Sequence, residues 1–330
     1  MLIATMILIL TLIYGQLSLH EDMPFNLAYT IPLRGILAVM VMACHIVPYF
    51  GVGYMFTDFG VMGAPSVSCF FFLSGYGLMV SLQNKGIVYF DNFFMKRLSK
   101  LLIPVLIITL IYWGILALVG DFSWHLIGKR LVAGYGTSPK SWFIFALLTC
   151  YVTFFVAFRW IKNIKYGLVW VWLFTLVLML CTSVLHWSLW TLSLVSFPMG
   201  VSVTFVKKYN STFFCRTLIT AVILCCLYGC YGCHIHSLPG WWFIASNAMP
   251  LAVYFAFRKI DISGVCFLSW LGNYSFEIYL LHGVVLHFAA EYIGNPWILL
   301  VTMVVVVLIL APIYSNWTKM LVSKISGLFI

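Results

Sequence analysis

The stretch IPLRGILAVMVMACHIVPYFG, residues 31–51, decides the fold class, because it is a long apolar segment that carries two costly side chains, Arg34 and His45. Such residues inside a membrane helix usually mark a functional site. Eleven residues make about three helical turns, so Arg34 and His45 share a face, about 16 Å apart along the axis. The residues between them on that face are modest in size and could border a slot: Ala38, Val41 and Met42. We expect a cation at the membrane surface and a titratable base near mid-membrane, which suits a long anionic substrate.

Composition indicates an all-α, polytopic integral membrane protein. Hydrophobic residues make up 64% of the 330 residues and charged residues only 8%, and the mean hydropathy is +1.07. That is too little charge for a soluble surface. A helix needs about 20 apolar residues to cross the hydrocarbon core. The pattern predicts about eleven membrane-spanning helices, at residues 2–19, 31–52, 59–82, 98–119, 141–158, 167–186, 189–206, 213–233, 240–257, 267–288 and 297–316.

The distribution of basic residues predicts the orientation. With eleven helices, one side receives Arg34 and the basic residues Lys85, Lys96, Arg97, Lys100, Arg159, Lys162, Lys165, Lys207, Lys208, Arg216, Arg258, Lys259, Lys319 and Lys324. The other side receives only Lys129, Arg130 and Lys140. The positive-inside rule then places the N-terminus outside and the C-terminus in the cytoplasm. The connection at residues 120–140 therefore lies outside, and we expect it to be partly helical and amphipathic.

The chain has ten cysteines, most of them within apolar segments, where a free cysteine behaves as a small hydrophobe. One cluster needs separate treatment: Cys225, Cys226, Cys230, Cys233, His234 and His236. The run Cys230-Tyr-Gly-Cys233-His234 matches the pattern for c-type haem attachment and also offers zinc ligands. The alternative is a set of small residues at a helix end. We expect the alternative, and therefore no metal.

Four further motifs follow the first in order: Phe70-Phe-Phe-Leu-Ser74-Gly75-Tyr76, Phe94-Met-Lys96-Arg97-Leu-Ser-Lys100-Leu-Leu-Ile-Pro104, Ser141-Trp142-Phe143 and Leu271-Gly-Asn-Tyr274-Ser275-Phe-Glu277-Ile-Tyr279-Leu-Leu-His282. In this order and spacing the set resembles the membrane-bound acyltransferase-3 family, whose members O-acylate carbohydrates at bacterial envelopes. The resemblance covers about residues 30–315. It implies one acyltransferase domain over residues 1–330, with a ten-helix core and an extra N-terminal helix in residues 1–29.

The resemblance also implies an activity and its partners. The protein would be an enzyme of the bacterial inner membrane that moves an acyl group, usually acetyl from acetyl-CoA, to a hydroxyl of a polysaccharide or glycolipid. Its partners would be acyl-CoA, the carbohydrate acceptor and the lipid bilayer, with no nucleic acid. Arg34 and His45 match the family's functional pair. Lys100 departs from the family, which commonly has a second arginine there; lysine binds phosphate as a point charge, without the bidentate fork.

Each candidate residue has a functional and a structural interpretation. His45 would be the general base that takes the proton from the acceptor hydroxyl, or it would form a hydrogen bond that serves packing. Arg34 would bind a CoA phosphate or orient the thioester, or it would extend to the interface as a topology anchor. Lys96, Arg97 and Lys100 would bind CoA phosphates, or they would be an ordinary basic connection.

The remaining candidates are expected to support the site. Ser74, beside Gly75, would allow a close approach of helices or of the pantetheine arm, and a nucleophilic role is the alternative. Glu277 should have a partner such as arginine or histidine. We expect structural or supporting roles for both Glu277 and His282. Trp142 would stack on a sugar ring, or it would belong to an aromatic belt at the outer boundary.

Two rival functions remain open from the sequence. Intramembrane Arg, His and Glu also mark the substrate paths of carriers, so a glycolipid or polysaccharide transporter or flippase is one rival. Transporters often show inverted repeats, and we find no internal symmetry in the sequence. A redox protein built around Cys230–His236 is the other rival.

Overall fold

The structure is a computed structural model, and it describes residues 27–51, 57–161, 163–205, 222, 224–225, 227–229, 231–232, 239–257 and 262–327. All regular elements in that part of the chain are helical, as predicted. The α-helices are α1 (Leu27–Phe50), α2 (Thr57–Val61), α3 (Gly63–Lys85), α4 (Phe93–Val119), α5 (Trp124–Val132), α6 (Trp142–Trp160), α7 (Ile164–Val184), α8 (Ser188–Ser193), α9 (Ser196–Val203), α10 (Pro239–Phe257), α11 (Cys266–Asn273), α12 (Ser275–Tyr292) and α13 (Pro296–Gly327). A 3-10 turn, Gly86–Phe90, joins α3 to α4.

Within the described residues, six helical stretches are long and apolar enough to cross a membrane. They are Thr30–Phe50, Phe59–Phe90, Phe93–Val119, Trp142–Trp160, Ile164–Val184 and Pro296–Lys324. Each overlaps one of the predicted spans. The predicted span at 189–206 is instead a short apolar stretch, Ser188–Val203, divided between α8 and α9. The span at 2–19 and most of the one at 213–233 lie outside the described residues, so the total of eleven stays a prediction.

The predicted span at 267–288 is wrong as one continuous helix. The chain forms α11 and α12, and the break between them falls at Tyr274. Gly272 packs so closely on α1 that an added Cβ would overlap the carbonyl oxygen of Ile31. Glycine and asparagine also have poor helix propensity, and Gly272 and Asn273 stand directly before the break. Close packing at Gly272 therefore coincides with the end of α11. The apolar pattern of the sequence continues through this point and gives no sign of the break.

The chain divides into two compact units. The first consists of Met1–Tyr76 and Val195–Phe276, and the second of Gly77–Leu194 and Glu277–Ile330. In the first unit, α1 packs on α11, where Gly35 lies against the backbone of Leu268. Small residues allow two helix backbones to approach closely in a membrane, where dispersion contacts drive helix association.

In the second unit, α13 packs on α4 and α7 packs on α6. The hydroxyl of Tyr314 on α13 donates a hydrogen bond to the carbonyl of Pro104 on α4. The expected helix within residues 120–140 is confirmed as α5, which Ser123 caps by accepting a hydrogen bond from the Leu126 N–H at 3.5 Å. These contacts hold the middle of α4 against α13 and fix the start of α5.

Candidate functional site

Helix α1 presents Arg34 and His45 as half-buried side chains. The residues between them on the same face are at most 3% exposed: Ala38, Val41 and Met42. This face of α1 is therefore packed inside the protein, while the two polar groups retain partial exposure. A polar side chain that is partly exposed beside a packed apolar surface can meet a ligand without unfolding its surroundings.

His45 has a defined tautomer. Its Nδ1 lies 2.8 Å from the carbonyl oxygen of Val41, one turn earlier on α1. A backbone carbonyl only accepts hydrogen bonds, so Nδ1 carries a hydrogen and donates it. In the neutral ring the lone pair is then on Nε2, which is the atom able to take a proton. The backbone of α1 thus leaves Nε2 of the neutral imidazole as the ring nitrogen that can accept a proton.

A close helix contact lies directly beside His45. The Sγ of Cys44 donates to the Val41 carbonyl at 3.1 Å and lies 3.6 Å from Nδ1 of His45. Gly63, at the start of α3, faces Cys44 so closely that an added Cβ would overlap its sulfur. Neither Gly63 nor Cys44 stands out in the sequence as a candidate site residue. The features that point to this contact are a glycine near the start of one helix and a small residue in another. Such features are weak evidence without the structure.

Ser74 is half-buried on α3, and its neighbour Gly75 lies at a second close contact. A Cβ on Gly75 would overlap the carbonyl oxygen of Phe197 on α9, and one on Gly200 would overlap the carbonyl oxygen of Phe72. Helices α3 and α9 thus approach closely at Gly75, next to Ser74, and a role of Ser74 toward the pantetheine arm stays a prediction. The nucleophilic alternative for Ser74 stays a hypothesis.

The basic cluster Lys96, Arg97 and Lys100 lies in the first turns of α4. Lys96 and Lys100 are exposed, and Arg97 is half-buried. The guanidinium carbon of Arg97 lies 5.6 Å from the ring centroid of Tyr89, in cation–π geometry. Two of these cations are thus accessible, and the third is oriented by an aromatic ring.

Glu277 is 7% exposed on α12 and accepts a hydrogen bond at 2.7 Å from the hydroxyl of Ser315 on α13. The expected partner was an arginine or a histidine. The structure gives it a serine instead, with Lys319, one turn beyond Ser315, acting on it electrostatically. A hydroxyl and a nearby ammonium together offset part of the cost of burying a carboxylate. This contact joins α12 to α13 and fits the expected structural role.

His282 and Trp142 are both interior residues. His282 is fully buried, with its Nδ1 3.2 Å from the Ile278 carbonyl. Trp142 is 6% exposed and packs edge-on against Phe143. The aromatic-belt interpretation of Trp142 is wrong, because a belt residue faces lipid and this indole is covered by protein. Stacking of Trp142 on a sugar stays a hypothesis and would require the ring to be uncovered.

Tyr279 has a role that sequence analysis did not assign. Its hydroxyl donates to the carbonyl of Lys140 at 2.5 Å. Lys140 has a φ of +64°, in the left-handed region that a non-glycine residue rarely adopts. Gly283, one turn after Tyr279, lies against the Pro139 carbonyl. One helical turn of α12 thus fixes the strained segment before α6, although the sequence showed only an aromatic residue within a motif.

The candidate residues fall into two sets. The first unit holds Arg34, His45 and Ser74, and the second holds Lys96, Arg97, Lys100, Trp142, Glu277 and His282. Among the described residues, no group of three or more His, Cys, Asp or Glu side chains is arranged to hold a metal ion. Cys225 is exposed. The other candidate ligands of the cysteine–histidine cluster lie outside the described residues: Cys226, Cys230, Cys233, His234 and His236.

Comparison with known proteins gives one positive result. A family model described as an acyltransferase domain matches residues 32–316, which is well over half of the chain. No curated protein and no solved structure matches the chain.

Proposed function

The chain belongs to the acyltransferase-3 family, and from this membership we propose that it transfers an acetyl group from cytoplasmic acetyl-CoA to a hydroxyl of an envelope carbohydrate or glycolipid. The family match confirms the resemblance and makes the protein a membrane acyltransferase. The acetyl donor, the acceptor class and the bacterial inner membrane are part of the proposal. So is the orientation, with the N-terminus outside and the C-terminus in the cytoplasm.

The observation that carries the proposal is the tautomer of His45. With Nδ1 donating to the Val41 carbonyl, Nε2 takes the proton of the acceptor hydroxyl as its oxygen attacks the thioester carbon. The C–S bond then breaks, an ester forms, and the CoA sulfur leaves with the proton that the imidazolium returns. Each step balances without a metal or a redox partner.

Comparison of His45 with a second intramembrane candidate, His282, supports the choice of His45. His282 has the same hydrogen-bond pattern, with Nδ1 facing the carbonyl four residues earlier. His282 is fully buried, however, whereas His45 is half-buried. A general base must come within hydrogen-bond distance of the substrate proton. We therefore assign the base to His45 and a packing role to His282.

The donor carries several phosphate charges, so its binding residues should be cations. In the first unit Arg34 is the candidate, since a guanidinium forks onto a phosphate or orients the thioester. In the second unit Lys96 and Lys100 are exposed and suit phosphate as mobile point charges. Charge-assisted hydrogen bonds of this kind are the strong ones.

Membranes containing the protein should be incubated with acetyl-CoA labelled in the acetyl group and with extracted envelope glycans. The proposal predicts that label appears in the glycan in ester linkage, and that mild base releases it. Glycans that cross the membrane without gaining label would contradict the proposal and favour the transporter. Label that enters glycan from another acyl-CoA but not from acetyl-CoA would overturn the choice of donor alone.

A further inference from the structure

An aromatic cluster surrounds the junction of α4 and α5 in the second unit. Trp113, Phe122 and Trp124 pack edge to face, with ring centroids 6.4, 5.9 and 5.0 Å apart for the pairs 113–122, 113–124 and 122–124. Trp124 is 69% exposed. A large indole face is therefore held in place by two other rings and remains open to a ligand.

Polar groups from three helices, α4, α5 and α12, lie in the same compact unit as these rings. Nε2 of His287 on α12 lies 3.4 Å from the hydroxyl of Tyr112 on α4, and the two rings are 5.4 Å apart. Arg130 of α5 acts electrostatically on both Tyr112 and His287. Asp121 and Glu291 act on His287 as well. One cation and two carboxylates therefore lie within electrostatic range of His287, which contacts the phenol of Tyr112.

Arg130 supplies the observation that points to a ligand. Its Nε is buried and has no hydrogen-bond partner among the described residues. A buried donor left without an acceptor costs free energy, and native proteins rarely leave one unexplained. A bound molecule with an acceptor oxygen would satisfy it. His287, on which Arg130 acts electrostatically, is exposed, so a molecule can reach His287 from outside the protein.

The surroundings of the cluster are fixed in advance. The indole N–H of Trp113 donates to the Thr137 carbonyl at 3.0 Å. The hydroxyl of Thr137 lies 2.8 Å from that of Thr109 on α4. These bonds join α4 to the segment that follows α5. Preorganised groups lose little conformational entropy on binding, which favours a specific ligand site over a chance surface patch.

We propose that this cluster (Tyr112, Trp113, Phe122, Trp124, Arg130 and His287) is a binding subsite for the carbohydrate acceptor. A sugar ring has polarised C–H groups that pack against the negative face of an indole, and hydroxyls that need both donors and acceptors. An acyl chain would use the rings but would leave Arg130 unsatisfied. The mixture of one open indole with charged groups of both signs fits a sugar.

The acceptor subsite rests on the proposed function, because the side of the membrane on which it lies follows from the proposed orientation of the protein. Trp113 lies sixteen residues after Arg97 on α4, which is about 24 Å along a helix. If the basic cluster faces the cytoplasm, the aromatic cluster is at the opposite end of the span. That is the side on which an envelope glycan would be presented. The rival interpretation is an aromatic belt, in which Trp124 only anchors the helix in lipid.

The test uses Trp124→Ala and Arg130→Gln, with Trp160→Ala as the matched control, because Trp160 is also 69% exposed but lies at the end of α6. For each variant KM is measured separately for the acceptor glycan and for acetyl-CoA. We expect the acceptor KM to rise about ten-fold or more in the two cluster variants, as for a residue at the centre of a binding site. The acetyl-CoA KM should stay unchanged, and Trp124→Phe should recover most of the loss.

Direct binding separates this proposal from the proposed function. Oligosaccharides released from the envelope are titrated into the purified full chain without acetyl-CoA, with saturation-transfer NMR as the readout. Binding that weakens in Trp124→Ala but not in Trp160→Ala supports the subsite even if no acetyl transfer is ever found. An acceptor KM and a binding signal that are unchanged in both cluster variants, or equally changed in Trp160→Ala, would overturn the subsite.

Discussion

At the scale of single residues, the proposed acyl transfer depends on which nitrogen of His45 holds the proton. The carbonyl of Val41 settles this, because it can only accept the Nδ1 hydrogen. The sequence predicted a functional histidine from its place in an apolar segment. It did not predict the tautomer, because that depends on the rotamer of His45 within the turn of α1. Depth in an apolar segment is visible in sequence, but side-chain direction is not.

Arg34 can be tested by substitution that keeps or removes charge. Arg34→Gln should weaken the binding of acyl-CoA about ten-fold or more, because a charge-assisted contact is worth about 1.5–3 kcal/mol. Arg34→Lys should restore only part of the affinity, since an ammonium lacks the planar fork. The measurement is acyl-CoA binding to purified, correctly inserted protein. If Arg34 is only a topology anchor, both variants will bind acyl-CoA normally, and only Arg34→Gln, which loses the charge, will differ from the parent in insertion.

Ser315 is a second residue with a specific prediction. Ser315→Ala removes the hydroxyl that donates to buried Glu277, and an unsatisfied buried group costs about 1–3 kcal/mol. The control is Ser323→Ala on the same helix, where the exposed hydroxyl bonds only to its own backbone at Met320. We expect a lower thermal unfolding midpoint in detergent for Ser315→Ala alone. Equal midpoints for the two variants would show that the Glu277–Ser315 bond contributes nothing to stability.

At the scale of elements, the hydropathy of the sequence predicted most long helices well but did not predict where an apolar span is interrupted. The spans at 31–52, 98–119, 141–158 and 167–186 all correspond to observed helices, because a long apolar run has few other ways to satisfy its backbone in lipid. The break at Tyr274 was missed, since the apolar pattern continues through it. Its position coincides with the contact of Gly272 with α1, which joins residues distant in sequence.

That contact gives a prediction for helix packing. Gly272→Ala places a methyl group on the Ile31 carbonyl, so α11 must move away from α1. The control is Gly114→Ala on α4, where a Cβ meets nothing within 4 Å and alanine favours the helix by up to about 1 kcal/mol. We expect a lower unfolding midpoint and reduced acyl transfer for Gly272→Ala only. A normal midpoint and normal activity would mean that the α1–α11 contact can relax freely.

At the scale of the whole molecule, the basic residues predict the side on which each connection lies. Lys85 and Tyr135 are both exposed and fall on opposite predicted sides. Ser138, in the same outer connection, is a poor probe because it is 2% exposed. In a background with the ten native cysteines replaced, Tyr135→Cys should react with an impermeant thiol reagent in whole cells. Lys85→Cys should react only after the membrane is opened.

The labelling result also bears on the donor and the acceptor. If Lys85→Cys reacts in whole cells and Tyr135→Cys does not, the positive-inside assignment is reversed. The basic cluster of α4 would then face away from cytoplasmic acetyl-CoA, and the aromatic cluster would face the cytoplasm. Composition predicted a multi-pass membrane protein correctly. It could not predict that the candidate residues divide between two compact units, because that division arises from long-range contacts.

The most direct test of the central claim is the rate of acetyl transfer by purified His45→Ala protein. The variant should retain its membrane insertion and its unfolding midpoint, while transfer from labelled acetyl-CoA to glycan falls about 100- to 10,000-fold, as expected for loss of a positioned general base. His186→Asn is the control, because His186 is exposed with a φ of +59° that asparagine tolerates, and its transfer rate should be unchanged. A near-normal rate in His45→Ala would contradict the account.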